Sequence, residues 1–305
     1  MAIFDADFVP PPSFLRQTVP YLLADPELGA VQARWGHLNA ADSALTGAQA
    51  IALDKHFAVE QLVRHRADCF PKFNGSAGVW RRACIEAIGG WSDATLCEDL
   101  CLSTRAVLAG WRFHFADDVV APAELPATMR AYKSQQARWA TGASQCLTRY
   151  AAPIWRAPGH SLLARLYALL SMSAYCTHLL LLILLLVQLP LIVSGLRFPA
   201  WMVVFSILGL GQPALFILAQ QVLYPDWPRR LRYLPALLLL AIGTAPSNAW
   251  AVLRGLSGRR FAFVRTPKGA QPGYRLKAGG AIWAETSLAL YSAVVLALAA
   301  WTGNA

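Results

Sequence analysis

The second half of the chain carries apolar blocks longer than an ordinary water-soluble fold buries. Residues 174–196, 201–223 and 281–301 are each long enough to cross a hydrocarbon core. That core is about 30 Å thick and takes about 20 helical residues at about 1.5 Å each. A fourth block, 234–252, is interrupted by Gly243, Pro246, Ser247 and Asn248. Such residues free backbone groups that lipid cannot satisfy, so this segment is expected to be buried among other helices or re-entrant. Arg229, Arg230 and Arg232 precede it, and Arg254, Arg259, Arg260, Arg265 and Lys268 follow it. Positive charge collects on the cytoplasmic side of a membrane, which places both clusters there and rules out one clean crossing between them. Three or four membrane segments are therefore expected within 174–301, with a basic loop at 254–280.

Composition agrees. Of 305 residues, 56% are apolar, and the mean hydropathy of +0.40 is too high for a wholly soluble protein. The net charge of +10 sits beside the apolar segments, so its partner is read as a lipid bilayer and not a nucleic acid. The apolar segments hold no ionisable pair of the kind that marks an ion path, and His178 and Gln188 alone do not make a transporter. The six cysteines show no Cys-x-x-Cys pair and no matching histidine spacing, which excludes a zinc site and leaves them as small apolar residues in a reducing compartment. No basic region followed by an apolar core opens the chain, so no secretory signal is read.

Before residue 160 the pattern is different. Short apolar runs such as Ala30–Trp35 alternate with helix-like stretches at 43–66 and 97–110, the rhythm of an α/β domain. Ala2-Ile3-Phe4 reads as a strand delivering Asp5 and Asp7 to a loop, although the neighbouring strands that such a sheet needs are absent upstream. The expected division is an α/β domain at 1–150, an interfacial helical linker at 151–173 and a membrane region at 174–301.

Four groups of residues carry chemistry. Carboxylates at i and i+2, Asp5 and Asp7, can share a Mg2+ or Mn2+ with diphosphate oxygens, or can form a plain solvated turn. Gly75 and Gly78 lie in Phe73–Arg82, where backbone can approach a sugar ring, or can serve tight turns. Glu98 and Asp99 open a helix, a place where carboxylates also lie for the helix dipole alone. Gln135, Arg138 and Trp139 fall at i, i+3 and i+4, on one helical face. There Arg138 can fork onto phosphate and Trp139 can stack on a sugar, or both can mark the bilayer interface.

The order of these motifs resembles the membrane-embedded family 2 glycosyltransferases of the cellulose synthase-like kind, which make β-linked polysaccharides. The resemblance rests on Asp5-Ala6-Asp7 with the Pro-containing Phe8–Leu15, on Val31–Asn39, on Phe73–Arg82, on Cys97-Glu98-Asp99, on Pro122–Pro126, on Gln135–Trp139 and on Phe263–Gly269. It implies a partial GT-A, Rossmann-like α/β domain followed by a transmembrane α-helical region. It also implies a nucleotide-sugar donor, a glycan acceptor, and a Mg2+ or Mn2+ held by Asp5 and Asp7. By the same resemblance, Asp99 is the general base of an inverting transfer, and Glu98, Gly75, Gln135, Arg138 and Trp139 line the acceptor and diphosphate sites. Phe263, Thr266 and Lys268 correspond to a gating loop. The family further implies a multi-pass protein of the inner (plasma) membrane with its catalytic domain in the cytoplasm. Cys97 stands where the family has Thr, Cys101 where an acidic residue is expected, and Arg265 in place of Val. Family members carry a nucleotide-binding stretch ahead of the first motif, so the chain is expected to be N-terminally truncated relative to them. The alternative reading is an inactive fragment or a membrane subunit. Partner subunits are not legible.

Overall fold

The computed structural model describes residues 1–196, 199–259, 261–266 and 281–302. Four strands form one mixed sheet in the order β1-β3-β2-β4: β1 (Ala2–Ile3), β2 (Leu28–His37), β3 (Gly78–Trp80) and β4 (Arg112–Ala123). β3 pairs antiparallel with β1 and with β2, whereas β2 and β4 run parallel from Leu28↔Arg112 to His37↔Ala123. Residues 28–33 of β2 are all buried, as expected for a strand covered on both faces. Alternation sends Ala30 to one face and Val31 to the other. Ala30 joins Phe73, Trp80, Leu102, Phe113 and Ile154 in one core. Val31 joins Phe8, Phe14, Val79 and Val119 in a second, under helix α1 (Phe14–Ala24).

The stretch expected to be helical at 43–66 is helical but not uniform. Helix α2 (Ala44–Lys55) starts at a reciprocal cap, in which Ser43 Oγ accepts from the Thr46 N–H and Thr46 Oγ1 accepts from the Ser43 N–H. It then widens to a π-helical stretch at His56–Gln61 before resuming as α3 (Leu62–Arg66). After β3 follow α4 (Arg82–Ala87), α5 (Glu98–Leu108) and, beyond β4, the long α6 (Met129–Trp155). α6 runs through residue 150 without a break, and α7 (Leu162–Met172) folds back so that Ala164, Ala168 and Met172 enter the core of the α/β domain.

The apolar half is helical: α8 (Cys176–Val193), α9 (Val203–Gly209), α10 (Gly211–Leu223), α11 (Trp227–Arg230), α12 (Leu234–Gly243), α13 (Ala245–Leu256) and α14 (Ala281–Thr302). Among the described residues, Cys176–Val193, Ala200–Leu223 and Trp283–Thr302 are long and apolar enough to cross a membrane. The interrupted block bends by 50° between α12 and α13, at Thr244, beside the Gly and Pro that single it out in the sequence. α13 is the most enclosed of these helices. Thr141 Oγ1 donates to the Ala251 carbonyl at 3.0 Å, and Gly255 lies against the Thr141 carbonyl and Ser144 of α6, with no room for a side chain.

Candidate active site

The site forms where three segments meet: the turn after β1, the 72–77 loop before β3, and the first turn of α5. Asp5 and Asp7 lie just past β1. The Asp5 N–H donates to Ser76 Oγ at 2.9 Å, the Asp7 carbonyl accepts from the Glu124 N–H at 3.3 Å, and the intervening turn closes with the Phe8 N–H on the Asp5 carbonyl at 3.1 Å. The acidic turn is thus pinned between the loop ahead of β3 and the end of β4. Asp5 is exposed and Asp7 half-buried.

The 72–77 loop is anchored at nearly every polar group. The Phe73 N–H donates to Ser103 Oγ at 2.9 Å, and the Asn74 N–H donates to Gln32 Oε1 at 2.9 Å. The Asn74 side chain accepts from Gln61 Nε2 at 2.6 Å and donates to His56 Nε2 at 2.9 Å. The Ser76 carbonyl accepts from Gln32 Nε2 and Trp35 Nε1, each at 3.1 Å. Since His56 Nε2 accepts, its Nδ1 carries the proton and donates to Glu60 at 2.7 Å. Burial, with the charge of Lys72 added, presses His56 down to about 4, so the ring is a neutral strut. The π-helical widening puts His56 and Gln61 where both reach Asn74, an example of the functional placement common for π-bulges.

These anchors fix Gly75 at φ +84°, a conformation that suits glycine, and a Cβ there would stand 3.0 Å from Asp99 Oδ2. Asp99 sits in the first turn of α5, and its carbonyl accepts from the same Ser103 hydroxyl that holds Phe73, at 2.7 Å. Burial, and then the neighbouring Glu98 charge, lift its carboxyl to about 6 against the opposing charges of Lys72 and Arg138. It stays ionised at neutral pH while remaining basic enough to take a proton.

α6 supplies the opposite wall. Gln135 is buried, and Arg138 and Trp139 are half-buried. Arg138 Nε is buried with no hydrogen-bond partner among the described residues, and its guanidinium lies over the Phe263 ring at 4.9 Å. A half-buried guanidinium with an enclosed, unpaired Nε can receive diphosphate oxygens. Cys97 answers for its place in the motif: its thiol donates to the Trp139 carbonyl at 3.8 Å, tying the Asp99 turn to α6. Burial and then the Asp99 charge hold that thiol well above its usual range, so it remains a neutral donor. Gly142 makes this approach possible, since a Cβ there would fall 2.4 Å from Cys97 Sγ. The Leu96 N–H adds a bond to Gln145 Oε1 at 3.0 Å.

Of the residues singled out in the sequence, the structure links Asp5 (through Ser76), Gly75, Asp99 with its neighbour Glu98, Arg138, and Trp139 (through Cys97), whereas Gln135 is buried on α6 about one turn before Arg138. Phe263 reaches the group through Arg138. Thr266 Oγ1 is buried without a hydrogen-bond partner among the described residues, and Lys268 lies outside the described residues. No group of three or more His, Cys, Asp or Glu side chains converges as a metal cage among the described residues. The donor set of Asp5 and Asp7 fits a Mg2+ or Mn2+ that completes its shell with diphosphate oxygens and water, and does not fit a cation held by protein alone. Sequence reasoning did not find Lys72, a lone charge in the loop, or the His56–Glu60 and Gln61 supports, because a helical run carries no local sign of the loop that it will brace.

Residues 1–218 match the family model of Glycosyl transferase family group 2. The chain is 44% identical over 171 residues to glucomannan 4-beta-mannosyltransferase 7 of Arabidopsis thaliana, a match covering 56% of this chain and 31% of that protein. It is 51% identical over 142 residues to glucomannan 4-beta-mannosyltransferase 1 of Cyamopsis tetragonoloba, covering 47% of this chain and 27% of that protein. These matches span less than a third of the length of the curated relatives. Among solved structures, a mannosyltransferase from Pyrobaculum calidifontis in complex with GDP-Man and Mn2+ matches with a TM-score of 0.40 and 22% identity, over 81% of this chain and 61% of that one. The family match takes in the Asp5 turn, the Gly75 loop, the Asp99 turn and the Arg138 face together, and on it the chain belongs to Glycosyl transferase family group 2.

Proposed function

We propose that this chain provides the base and acceptor side of a membrane-bound inverting glycosyltransferase of GT-A type. It moves a sugar from a nucleotide-sugar donor to a glycan acceptor in polysaccharide synthesis. The observation that carries the reading is the contact of the Gly75 turn with Asp99, on a loop whose next residue binds the Asp5 backbone. In this reading Asp99 takes the proton of the acceptor hydroxyl as that oxygen attacks the anomeric carbon from the face opposite the departing diphosphate. Arg138 receives the diphosphate oxygens, and Gln135 and Trp139 hold the acceptor sugar, Trp139 by offering a flat apolar face. Asp5 and Asp7 would hold a divalent metal, which would supply positive charge against the leaving diphosphate. The Phe263 ring under the Arg138 guanidinium supports reading Phe263 and Thr266 as part of a segment that closes over the diphosphate, with Lys268 as its further candidate in the sequence.

The names of the similar plant proteins support a mannosyl donor and a β-1,4-linked product. The Arg229–Arg232 and Arg254–Arg265 clusters support a plasma-membrane protein whose α/β domain faces the cytoplasm. The test is transfer from radiolabelled GDP-mannose and UDP-glucose by the protein in its native membranes, with Asp99→Asn beside the wild type. Transfer by the wild type that is lost in the variant supports the reading. An Asp99→Asn protein working at the wild-type rate removes Asp99 from its role. Absence of both transfer and saturable donor binding in the wild type favours a membrane subunit without catalysis.

A further inference from the structure

We propose that the cleft between α3, α5 and α7 is a second binding site, for a phosphate-class oxyanion gripped by Arg64 and Lys72. The cleft is narrow and is lined by Arg64, Lys72, Thr104 and Ser171 among the apolar side chains of Phe70, Pro71, Leu100, Ala168 and Met172. No carboxylate is in that lining. Arg64 is only 3% exposed. Its Nη2 donates to Ser171 Oγ and its guanidinium lies 5.5 Å from the Tyr167 ring centre, yet Nη1 is buried with no hydrogen-bond partner among the described residues. Lys72 brings a second positive charge to the same cleft.

Buried cations are normally paired, because removing them from water is costly. The negative charges that act on Lys72, those of Glu60 and Asp99, do not line the cleft. Glu60 binds Lys55 and His56, and Asp99 faces Gly75. Desolvation and the Arg64 charge press the Lys72 ammonium down to about 7, a penalty that a bound anion relieves. A guanidinium fork, an ammonium and the Ser171 hydroxyl, which keeps its own proton to donate, form the donor set that a phosphate group satisfies. The roof of the cleft is α7, and its outward side exposes Leu162, Leu163, Leu166 and Leu170. A helix with that face lies at the membrane surface, so the phosphate can come from a lipid headgroup or be free in solution.

The whole protein purified in detergent should be titrated calorimetrically with inorganic phosphate. Its melting temperature should also be compared in nanodiscs of phosphatidylcholine alone and of phosphatidylcholine with phosphatidylglycerol. Saturable phosphate binding identifies the free ion as a ligand, and stabilisation by phosphatidylglycerol without it identifies the lipid. Lys72→Met should weaken either response by at least about tenfold, a loss of one charged partner, and Arg138→Ala should not. Should Lys72→Met fail to fold, Ser171→Ala removes a single hydroxyl and serves the same comparison. No response to either probe, or a Lys72→Met protein that responds as the wild type does, overturns the proposal. So does binding lost in Arg138→Ala but kept in Lys72→Met, which would place the anion in the transfer site.

Discussion

Gly75 and Asp99 are in contact across two segments of the chain: a Cβ on Gly75 would lie 3.0 Å from Asp99 Oδ2. The backbone at Gly75 has φ +84°, and Asn74 and Ser76 on either side are hydrogen-bonded into the sheet and the π-helical stretch, so the turn cannot relax away. Gly75→Ala therefore adds backbone strain of about 1–3 kcal/mol and displaces the carboxylate. The expected outcome is a fall in transfer rate of at least about tenfold with little change in donor affinity, measured as kcat and KM in membranes.

Asp99 also predicts a pH dependence. Its carboxyl is raised from 3.8 to about 6, mainly by burial and then by Glu98. A base must be ionised, so the transfer rate should fall about tenfold per pH unit below about 6. Stability moves the other way. Between 3.8 and about 6 the folded chain holds a proton that the unfolded chain has lost, so this group's contribution is complete below 3.8 and is lost as pH rises through about 6. At pH 7.5 Asp99→Asn removes a buried charge, and should abolish transfer while stabilising the fold by roughly 1–3 kcal/mol. Thermal unfolding in detergent and a transfer assay on the same preparation check both halves.

The Asp99 turn and the Arg138 face were readable before any coordinates because each is a local pattern: two acids opening a helix, and three residues at i, i+3 and i+4. The bend in the 234–252 block was equally local, announced by Gly243 and Pro246. What brings the site together was not. Asn74 finds Gln61 and His56 at separations of 13 and 18 residues, and it reaches both only because a helix of unremarkable composition widens to a π turn. Nothing in the sequence singles out Lys72 and Arg64, which share a cleft only because α7 folds over them.

Arg138 Nε is buried without a partner among the described residues, which is costly unless the donor's diphosphate supplies one. Arg138→Lys keeps the charge and loses the fork. Donor KM should rise by about tenfold or more, and inhibition by the nucleoside diphosphate product should weaken in parallel. A change in kcat alone would instead assign Arg138 to the acceptor.

On the proposed function, Asp5 and Asp7 hold the metal only together with the donor's diphosphate. Chelation should stop transfer, and Mn2+ or Mg2+ should restore it. Asp7→Asn should raise the metal concentration for half-maximal rate by about tenfold or more, because Asp7 is the more enclosed of the two.

Asp54 shows how the α/β domain is fastened to the apolar helices. Lying on α2 and 2% exposed, it pairs with His37 of β2 at 3.0 Å and accepts from Gln220 of α10 at 2.9 Å and from the Tyr224 hydroxyl at 3.1 Å. Around this knot, Ala48 and Ile51 of α2 pack against Leu237, with Phe216, Tyr233 and Leu234. In the sequence Asp54 is one acid in a helical run, with the look of a solvated face. Removing it strands three partners at once, the fully buried Gln220 among them, so Asp54→Ala should destabilise the protein by about 3–5 kcal/mol, the cost typical of breaking a buried charge network. Asp226→Ala is the contrast. Its partner Arg230 lies one turn away on an exposed surface, where an ion pair contributes little, and the melting temperature should stay at the wild-type value. Equal melting temperatures for the two variants would mean that apolar contacts alone, and not Asp54, hold α2 to α10.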